Sequence, residues 1–434
     1  MLVISEHFGY EKTKNRFYLK QDNLKLCEDF DLNIPFKKYF NNNEETFCFN
    51  FNKSENGEFQ FETGYYIGVD WIGNSGLSIY VQPKLNEEKK QVNYLKMLFE
   101  ALKDSENLNH LNDLYTIDFK APLIPITQQQ DLLAPLLLIE FLQLLKNIVR
   151  KGLKKSYYKI TENLNSKVKG KILINATVKQ NHSHQKMLYN ICTFEEFGYN
   201  SIENSILKKA LLFTQSALNS FKIDKTLDLK ELFNYVIPAF ESVNEDIDIR
   251  VVKNAKHNPL FKEYTHAIKL AKIILKRYNY TISQTTEKIV KTPPFWIDMP
   301  KLFELYVFKK LRESYPEKGE VKYHKKFHGL EPDYLLNTVV NGDSLKMIID
   351  AKYKPKYKDS NIYLSDARQV SGYARLKSIY KELGIGGSKQ IIDCLIVYSD
   401  QSLEDKPFIE SLETKNEDGK YMHLFKVGIK LPEL

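Results

Sequence analysis

Two aspartates and one lysine are the residues best suited to chemistry in this sequence. Asp333 precedes an apolar-rich segment, Asp350 and Lys352 end a second one, and Asn341-Gly342 stands between the two segments. Asn-Gly between two strands is typical of a two-residue hairpin turn. If the strands pair around that turn, Asp333 lies directly opposite Asp350, and Lys352 emerges on the same face because side chains alternate. The spacing therefore predicts two carboxylates and an ammonium group on one patch.

Such a patch favours a divalent metal ion. Hard ions such as Mg²⁺ bind carboxylate oxygens, waters and phosphate oxygens, and binding relieves the repulsion between facing carboxylates. The expected metal ligands are Asp333, Asp350 and Ala351, with Mg²⁺, or Mn²⁺ in its place, as the cofactor. Lys352 would orient or deprotonate a water or stabilise charge on a phosphate. The alternative is a surface hairpin with scattered charges, in which Asp333 merely begins a strand.

Polar residues on two predicted helices accompany this hairpin. Glu304 falls on a helix predicted over residues 300–313 and shares a face with Phe308, which predicts partial burial. Because burying an unpaired carboxylate is costly, a metal or lysine neighbour is expected, and a tolerated, partly exposed glutamate is the alternative. Asp366, Gln369 and Tyr373 share one face of a helix predicted over residues 363–383. They either serve the site or are simply polar residues at a sheet edge.

Three segments with different patterns position these residues. Residues 1–120 alternate in strand fashion, and residues 121–290 are predicted to be mainly helical and basic. Residues 291–434 follow an α-β-β-β-α-β-β order with a mixed sheet. The predicted fold class is α+β and multidomain, and three domains fit a chain of 434 residues.

Composition indicates a folded, soluble, cytoplasmic protein. Apolar residues make up 43% and charged residues 27% of the chain. The four cysteines have no CxxC spacing, which argues against a zinc ribbon or a disulfide scaffold. We expect neither a secretory signal nor a membrane span, because the start of the chain lacks a basic and apolar leader and no apolar run approaches ~20 residues.

Positive charge is concentrated in the middle of the sequence. The chain has a formal net charge of +8, whereas residues 141–190 hold 11 lysines and arginines against one acid. Concentrated positive charge favours a polyanion, and nucleic acid is the commonest one. The expected phosphate contacts are Lys154, Lys155, Lys167 and Lys169. A solvated, lysine-rich surface is the alternative.

Pro-Asp, a hairpin and then Asp-x-Lys resemble the signature of PD-(D/E)XK nucleases. More closely, the chain resembles the McrC family, the nuclease subunit of McrBC-type restriction systems. The resemblance covers roughly residues 136–397 and rests on five ordered motifs, VRKGLKKSY at 149–157, KGKI at 169–172, FEEF at 194–197, NSILKKAL at 204–211 and DMPKLFE at 298–304.

The resemblance implies a Mg²⁺-dependent endonuclease that cuts double-stranded DNA for phage defence. Asp333, Asp350 and Lys352 would be catalytic, with Glu304 as an auxiliary acid, Gln369 as a positioning residue and Tyr373 near the DNA.

It also implies a McrB-like AAA+ GTPase hexamer as the partner, whose hydrolysis the chain would stimulate. The chain has no GxxxxGK[ST] loop, so no nucleotide is expected to bind to it. Residues 1–120, which carry no chemical motif, are the predicted docking domain. Two other interpretations stay open, namely a non-catalytic activator or scaffold of an AAA+ motor and a standalone DNA repair nuclease.

Overall fold

The structure is a computed structural model of the chain. It describes residues 1–9, 21–29, 35–42, 46–53, 59–83, 92–104, 106–111, 114–127, 130–220, 229–245, 262–279, 289–327, 329–340, 342–354, 362–387, 390–404 and 406–433.

The described residues form a mixed α/β protein, as the sequence predicts. The strands are β1 Leu2–Ser5, β2 Phe36–Tyr39, β3 Phe47–Lys53, β4 Phe59–Thr63, β5 Tyr66–Trp71, β6 Ser78–Gln82, β7 Tyr115–Ile117, β8 Ile124–Thr127, β9 Ser156–Asn165, β10 Lys171–Ile172, β11 Tyr189–Gly198, β12 Ile289–Thr292, β13 Phe295–Asp298, β14 Val321–Tyr323, β15 Tyr334–Val340, β16 Asp343–Lys352, β17 Asp393–Ser399, β18 Asn416–Glu417 and β19 Leu424–Ile429. The helices are α1 Gln21–Asp29, α2 Tyr94–Leu102, α3 Leu133–Lys151, α4 Ile174–Gln180, α5 Ile202–Ser220, α6 Leu229–Val236, α7 Lys262–Asn279, α8 Met299–Ser314, α9 Leu364–Tyr373, α10 Lys377–Glu382 and α11 Phe408–Glu413.

The chain divides into two compact units. The first unit joins Met1–Leu136 to Glu287–Leu434, and the second is Leu137–Thr286. These limits differ from the boundaries at residues 120 and 290 that the sequence patterns suggest. The reason is a sheet with strand order β1-β6-β5-β13-β7, in which β13 comes from the C-terminal part of the chain and the other strands come from the N-terminal part.

Alternating aromatic residues build the core of the N-terminal part. Phe49, Phe51 and Phe61 are fully buried on the three-stranded sheet β2-β3-β4, which fits the period of two expected for strands. Trp296 of β13 belongs to the same apolar cluster, and its indole N–H donates to Asp70 Oδ2 at 2.9 Å. A strand that follows the middle segment in sequence therefore completes the N-terminal core.

The C-terminal part is a six-stranded mixed sheet with the order β14-β15-β16-β17-β19-β18. Strands β15 and β16 are antiparallel, while β16 pairs with β17 in parallel. Ile348 packs with Val370 of α9, whereas Tyr334 stacks on Phe308 of α8 at 6.1 Å. Because neighbouring side chains on a strand point to opposite faces, α8 and α9 cover opposite faces of this sheet.

Polar contacts tie the two parts of the first unit together. Asn107 is fully buried and its amide donates to the carbonyls of Ala101 and Leu305, at 2.8 and 3.0 Å. The Tyr353 hydroxyl donates to the carboxylate of the fully buried Glu6 at 3.1 Å. The sheet that carries the predicted site thus shares a folded unit with the N-terminal strands.

The second unit contains a long antiparallel hairpin that the mainly helical prediction missed. Strands β9 and β11 pair over ten residues, and β10 adds a short third strand. Exposed and partly exposed residues alternate along most of β9, so it lacks the apolar stripe that signals a strand. The exposed rings of Tyr157 and Phe197 face each other across the strands at 5.1 Å. Elsewhere in this unit, helices α5, α6 and α7 agree with the mainly helical prediction.

Among the described residues, no helix combines the length and the apolar character needed to cross a bilayer.

Candidate active site

The β15–β16 hairpin carries the two predicted carboxylates at its open end. Val340 pairs with Asp343 and Tyr334 pairs with Ile349, which is the register that a two-residue turn predicts. Gly342 has φ +91°, a value that glycine adopts readily, while residue 341 lies outside the described part. Asp333 directly precedes β15, and its Oδ2 accepts the Ala351 N–H at 2.7 Å. The Asp333 side chain therefore reaches across to the end of β16.

Asp350 is a buried carboxylate that pairs with a neighbouring lysine. Its side chain is 0% exposed, and Lys352 Nζ lies 2.8 Å from Asp350 Oδ2. Within the described residues, Asp350 Oδ1 has no hydrogen-bond partner. An unmatched buried carboxylate oxygen costs free energy, so a site that keeps one is suited to a cation or a proton.

Burial and neighbouring acids raise the pKa values of both aspartates of the site. Burial raises the pKa of Asp333 well above its usual range, and the charges of Asp350 and Glu304 raise this pKa further. Burial also raises the pKa of Asp350, although the ammonium of Lys352 opposes this effect. For Lys352, burial favours a lower pKa, but Asp350 and Asp333 outweigh it and raise the pKa to about 12. Lys352 therefore carries its proton at neutral pH when no cation neutralises these acids.

Helix α9 supplies a chain of polar contacts to Lys352. Lys352 Nζ donates to Gln369 Oε1 at 3.0 Å, and Gln369 Nε2 donates to the Tyr373 hydroxyl at 3.0 Å. Asp366 lies beside them and pairs with Lys354 at 3.0 Å. Gln369 is exposed, whereas Tyr373 is only 7% exposed. The buried ring supports Gln369 in this structure, and a contact between Tyr373 and DNA stays a prediction.

Helix α8 presents Glu304 to the same site. Asp298 caps the start of this helix by accepting the Lys301 N–H at 2.9 Å, and Pro300 occupies its first turn. Glu304 Oε2 accepts the Tyr323 hydroxyl at 3.2 Å and lies 3.1 Å from His324 Nε2. The side chain is 19% exposed, which agrees with the partial burial expected from the helical spacing.

His324 is a site residue that the sequence analysis missed. One ligand atom from each of Glu304, His324 and Asp333 lies within 4.8 Å of the others. His324 follows β14 and its main-chain N–H donates to the Asp333 carbonyl at 2.9 Å. His324 lies outside the sequence motif of Asp333, Asp350 and Lys352, and no metal-ligand spacing in the sequence points to it. Its place in the site follows from the pairing of β14 with β15.

The four lysines predicted to bind phosphates lie in the second unit and differ in their surroundings. Lys154 is 14% exposed and pairs with Glu203 at 3.1 Å, while Lys169 pairs with Glu196 at 2.6 Å. Lys155 Nζ lies over the Tyr199 ring at 4.8 Å from its centre. Lys167 is exposed. A role in DNA binding stays a prediction for all four lysines. Lys154 is the least accessible to a phosphate, because its side chain is mostly buried and already pairs with Glu203.

A basic groove adjoins the site in the first unit. Its lining includes His324 and five cationic residues, namely Arg312, Lys318, Lys322, Lys325 and Lys326. Lys322 and Lys325 both pair with Glu382 at 2.5 Å, so part of this charge is neutralised. Arg312 pairs with Asp104 and Glu106, and Lys326 lies 3.8 Å from Glu331, so acids also balance much of the remaining charge.

The fold and the site define an α+β protein with a carboxylate–lysine centre on a mixed sheet. A family model described as McrBC 5-methylcytosine restriction system component matches residues 62–383, well over half of the chain. The chain belongs to this family. The resemblance inferred from the sequence motifs is thereby confirmed at the level of the family. No curated protein sequence gives a significant match to the chain.

Three solved structures show weaker likenesses. A half-complex of Thermococcus gammatolerans McrB AAA+ hexamers with bound McrC is 18% identical, covers 99% of this chain and 94% of that chain, and has a TM-score of 0.40. The McrBC complex of the same organism is 15% identical, covers 74% and 89%, and scores 0.29. Restriction endonuclease FokI is 11% identical, covers 46% and 36%, and scores 0.19. At these scores the superpositions establish neither a shared fold nor a shared function.

Proposed function

We propose that this chain is the nuclease subunit of a McrBC-like restriction system. In this proposal it cuts double-stranded DNA with a divalent metal ion, in complex with an AAA+ GTPase. The observation that carries the proposal is the fully buried Asp350. Lys352 lies 2.8 Å from it, Asp333 binds the main-chain N–H of the next residue, and one Asp350 oxygen has no hydrogen-bond partner among the described residues.

The donor set fits a hard divalent cation. Asp350, Asp333 and Glu304 supply carboxylate oxygens. Burial raises the pKa of both aspartates, and nearby acids raise it further, namely Asp350 and Glu304 for Asp333 and Asp366 and Glu304 for Asp350. A cation between them would remove that repulsion, as is typical of Mg²⁺ and Mn²⁺ sites. Ala351 uses its N–H to orient Asp333, and its carbonyl is the atom it has left to offer a metal.

The residues around the carboxylates have separable roles. When bound, Mg²⁺ would activate a water and neutralise charge on the scissile phosphate. Lys352 stays protonated while the acids are uncompensated, so its role is to donate a hydrogen bond to a water or a phosphate oxygen rather than to remove a proton. Gln369 accepts from Lys352 and fixes the direction of its ammonium group. The groove of Lys318, Lys322, Lys325 and Lys326 would hold the DNA backbone beside the site.

Partner binding is proposed on separate grounds. The chain lacks a GxxxxGK[ST] loop, so GTP hydrolysis in the complex would belong to the partner. Residues 1–120 are the proposed docking region, and stimulation of the partner's hydrolysis would accompany docking.

The test is cleavage by the complex of the full chain with its AAA+ partner. Asp350→Asn and Lys352→Ala should each reduce Mg²⁺-dependent cutting to background, because each removes a group at the proposed reaction centre. Asp343→Asn is the matched control, since Asp343 is an exposed aspartate on the same strand. Cutting by the Asp350→Asn complex at the wild-type rate would refute the proposal, provided that circular dichroism shows a folded variant.

A further inference from the structure

His324 lies where it can add a nitrogen atom to the metal centre. Its Nε2 is 3.1 Å from Glu304 Oε2, and Asp333 completes a group whose ligand atoms lie within 4.8 Å of one another. Neighbouring ligands around a cation bound at about 2.1 Å are about 3 Å apart. The His324–Glu304 distance therefore fits two neighbouring ligands of one ion, and Asp333 lies close enough to join them with a small side-chain movement.

A carboxylate on the other side of the imidazole ring gives a second, independent indication. Nδ1 of His324 lies 3.6 Å from Glu331 Oε1, an ion-pair contact that is longer than a hydrogen bond. Imidazoles that bind metals almost always direct their second nitrogen at a carboxylate, a carbonyl or a water, which fixes the tautomer and raises the basicity of the ligating nitrogen. The His324 ring also stacks on Tyr323 at 4.0 Å, which holds its plane. This arrangement leaves Nε2 as the atom directed at Glu304.

The neighbouring aspartate adds a further reason to expect a cation here. Asp350 is 0% exposed, and its Oδ1 has no hydrogen-bond partner within the described residues. Asp333 accepts the main-chain N–H of Ala351, the residue after Asp350, and also belongs to the group with Glu304 and His324. Asp333 thus links the group of Glu304 and His324 to the end of β16, where the unpartnered oxygen of Asp350 lies.

We infer that His324 is a nitrogen ligand of the metal centre, together with Glu304 and Asp333, and that it shifts the preference of the centre from Mg²⁺ towards Mn²⁺. This inference rests on the nuclease function proposed above. Mg²⁺ favours oxygen ligands in a near-ideal octahedron, whereas imidazole suits transition-metal ions. Glu331 would act as a positioning residue that orients the ring.

The experiment uses Mn²⁺ as the probe and the full chain without DNA. Electron spin-echo spectroscopy of bound Mn²⁺ detects coupling to a directly bound imidazole nitrogen, and competition with Mg²⁺ gives the ratio of the two dissociation constants. The variant is His324→Asn, because His324 has φ +46° and asparagine tolerates this left-handed region well. The control is His423→Asn, since His423 also has a positive φ, of +57°, and lies 2.8 Å from the carboxylate of Asp393.

We expect nitrogen coupling in the wild type and in His423→Asn, and its loss in His324→Asn. The preference for Mn²⁺ over Mg²⁺ should fall about tenfold or more in His324→Asn, while Glu331→Gln should keep the coupling and weaken Mn²⁺ binding by about 10–100-fold. His324→Gln serves as the second variant if the first one does not fold.

Bound Mn²⁺ without nitrogen coupling in the wild type, or with coupling that survives in both His324 variants, would overturn this inference and leave the proposed nuclease intact. Cleavage by the Asp350→Asn complex would instead overturn the proposed function, whatever the spectrum shows.

Discussion

A buried glutamate at the junction of the N-terminal sheet and the site gives a quantitative prediction. Glu6 follows β1, is fully buried, and accepts the Tyr353 hydroxyl at 3.1 Å. Tyr353 directly follows Lys352, and its ring packs on Phe303 at 5.7 Å, next to Glu304. The perturbation is Glu6→Gln, which keeps the shape and an acceptor for Tyr353 but cannot ionise.

The expected effect is a change in the pH dependence of stability. Burial raises the pKa of Glu6 to about 8, whereas an unfolded glutamate titrates near 4.5. Between these values the folded chain keeps a proton that the unfolded chain has lost, so the free energy of unfolding falls as pH rises. The slope is about 1.4 kcal/mol per pH unit, which gives a loss of roughly 4 kcal/mol between pH 5 and pH 8. Glu6→Gln should lack this loss.

The assay is urea denaturation of the full, metal-free chain at pH 5, 6, 7 and 8. Unfolding is monitored by tyrosine and tryptophan fluorescence. The difference in unfolding free energy between Glu6→Gln and the wild type should move in favour of the variant by roughly 4 kcal/mol across this range. Glu404→Gln is the control, because the Glu404 side chain is 84% exposed. A difference that stays constant from pH 5 to pH 8 would refute the idea that Glu6 is protonated in the folded chain.

Three further outcomes are expected. Lys352→Met should lower the unfolding free energy of the metal-free chain by about 2 kcal/mol at pH 7, as measured by thermal denaturation. The reason is that the pKa of Lys352 rises to about 12 in the folded chain, so its charged form stabilises the fold at every pH below the unfolded pKa of about 10.5. Lys167→Ala should reduce the slope of log K against log salt for duplex DNA by ~0.9 in binding assays, and the ion-paired Lys154 should give no change. A chain of residues 121–434 should fail to fold, as seen by circular dichroism, because β13 loses its partner β5.

Local patterns explain how much of the site could be predicted. The turn fixes the register of β15 and β16, so the positions of Asp333 and Asp350 follow from counting residues. The helix predicted over residues 300–313 agrees with α8, because proline and a capping aspartate mark its start. The helix predicted over residues 363–383 is instead two helices, α9 and α10, since the chain turns at Ala374 and resumes after Leu376.

Long-range pairing explains what could not be predicted. Strand β13 has four residues and finds its partners, β5 and β7, more than 170 residues earlier in the chain. No short-range pattern encodes such a partner, so the boundary at residue 290 separates strands that share one sheet. The sequence analysis missed His324 for the same reason, since its position beside Glu304 depends on the packing of β14 against α8. The sequence analysis also missed the hairpin of β9 and β11, because it buries too few side chains to produce the alternating apolar pattern of a strand.

The segment from β13 to Glu304 makes the N-terminal sheet and the site mechanically dependent on each other. Residues 295–298 pair with β5 and β7, and α8 begins directly afterwards and carries Glu304 one turn later. Tyr353 makes a second connection, because it directly follows Lys352 and its hydroxyl donates a hydrogen bond to Glu6. A shift of the N-terminal strands relative to the mixed sheet would therefore move an acid and the lysine of the site together. Catalytic groups must be held within fractions of an ångström, so under the proposed nuclease function such a shift would change the cleavage rate before it changed the fold.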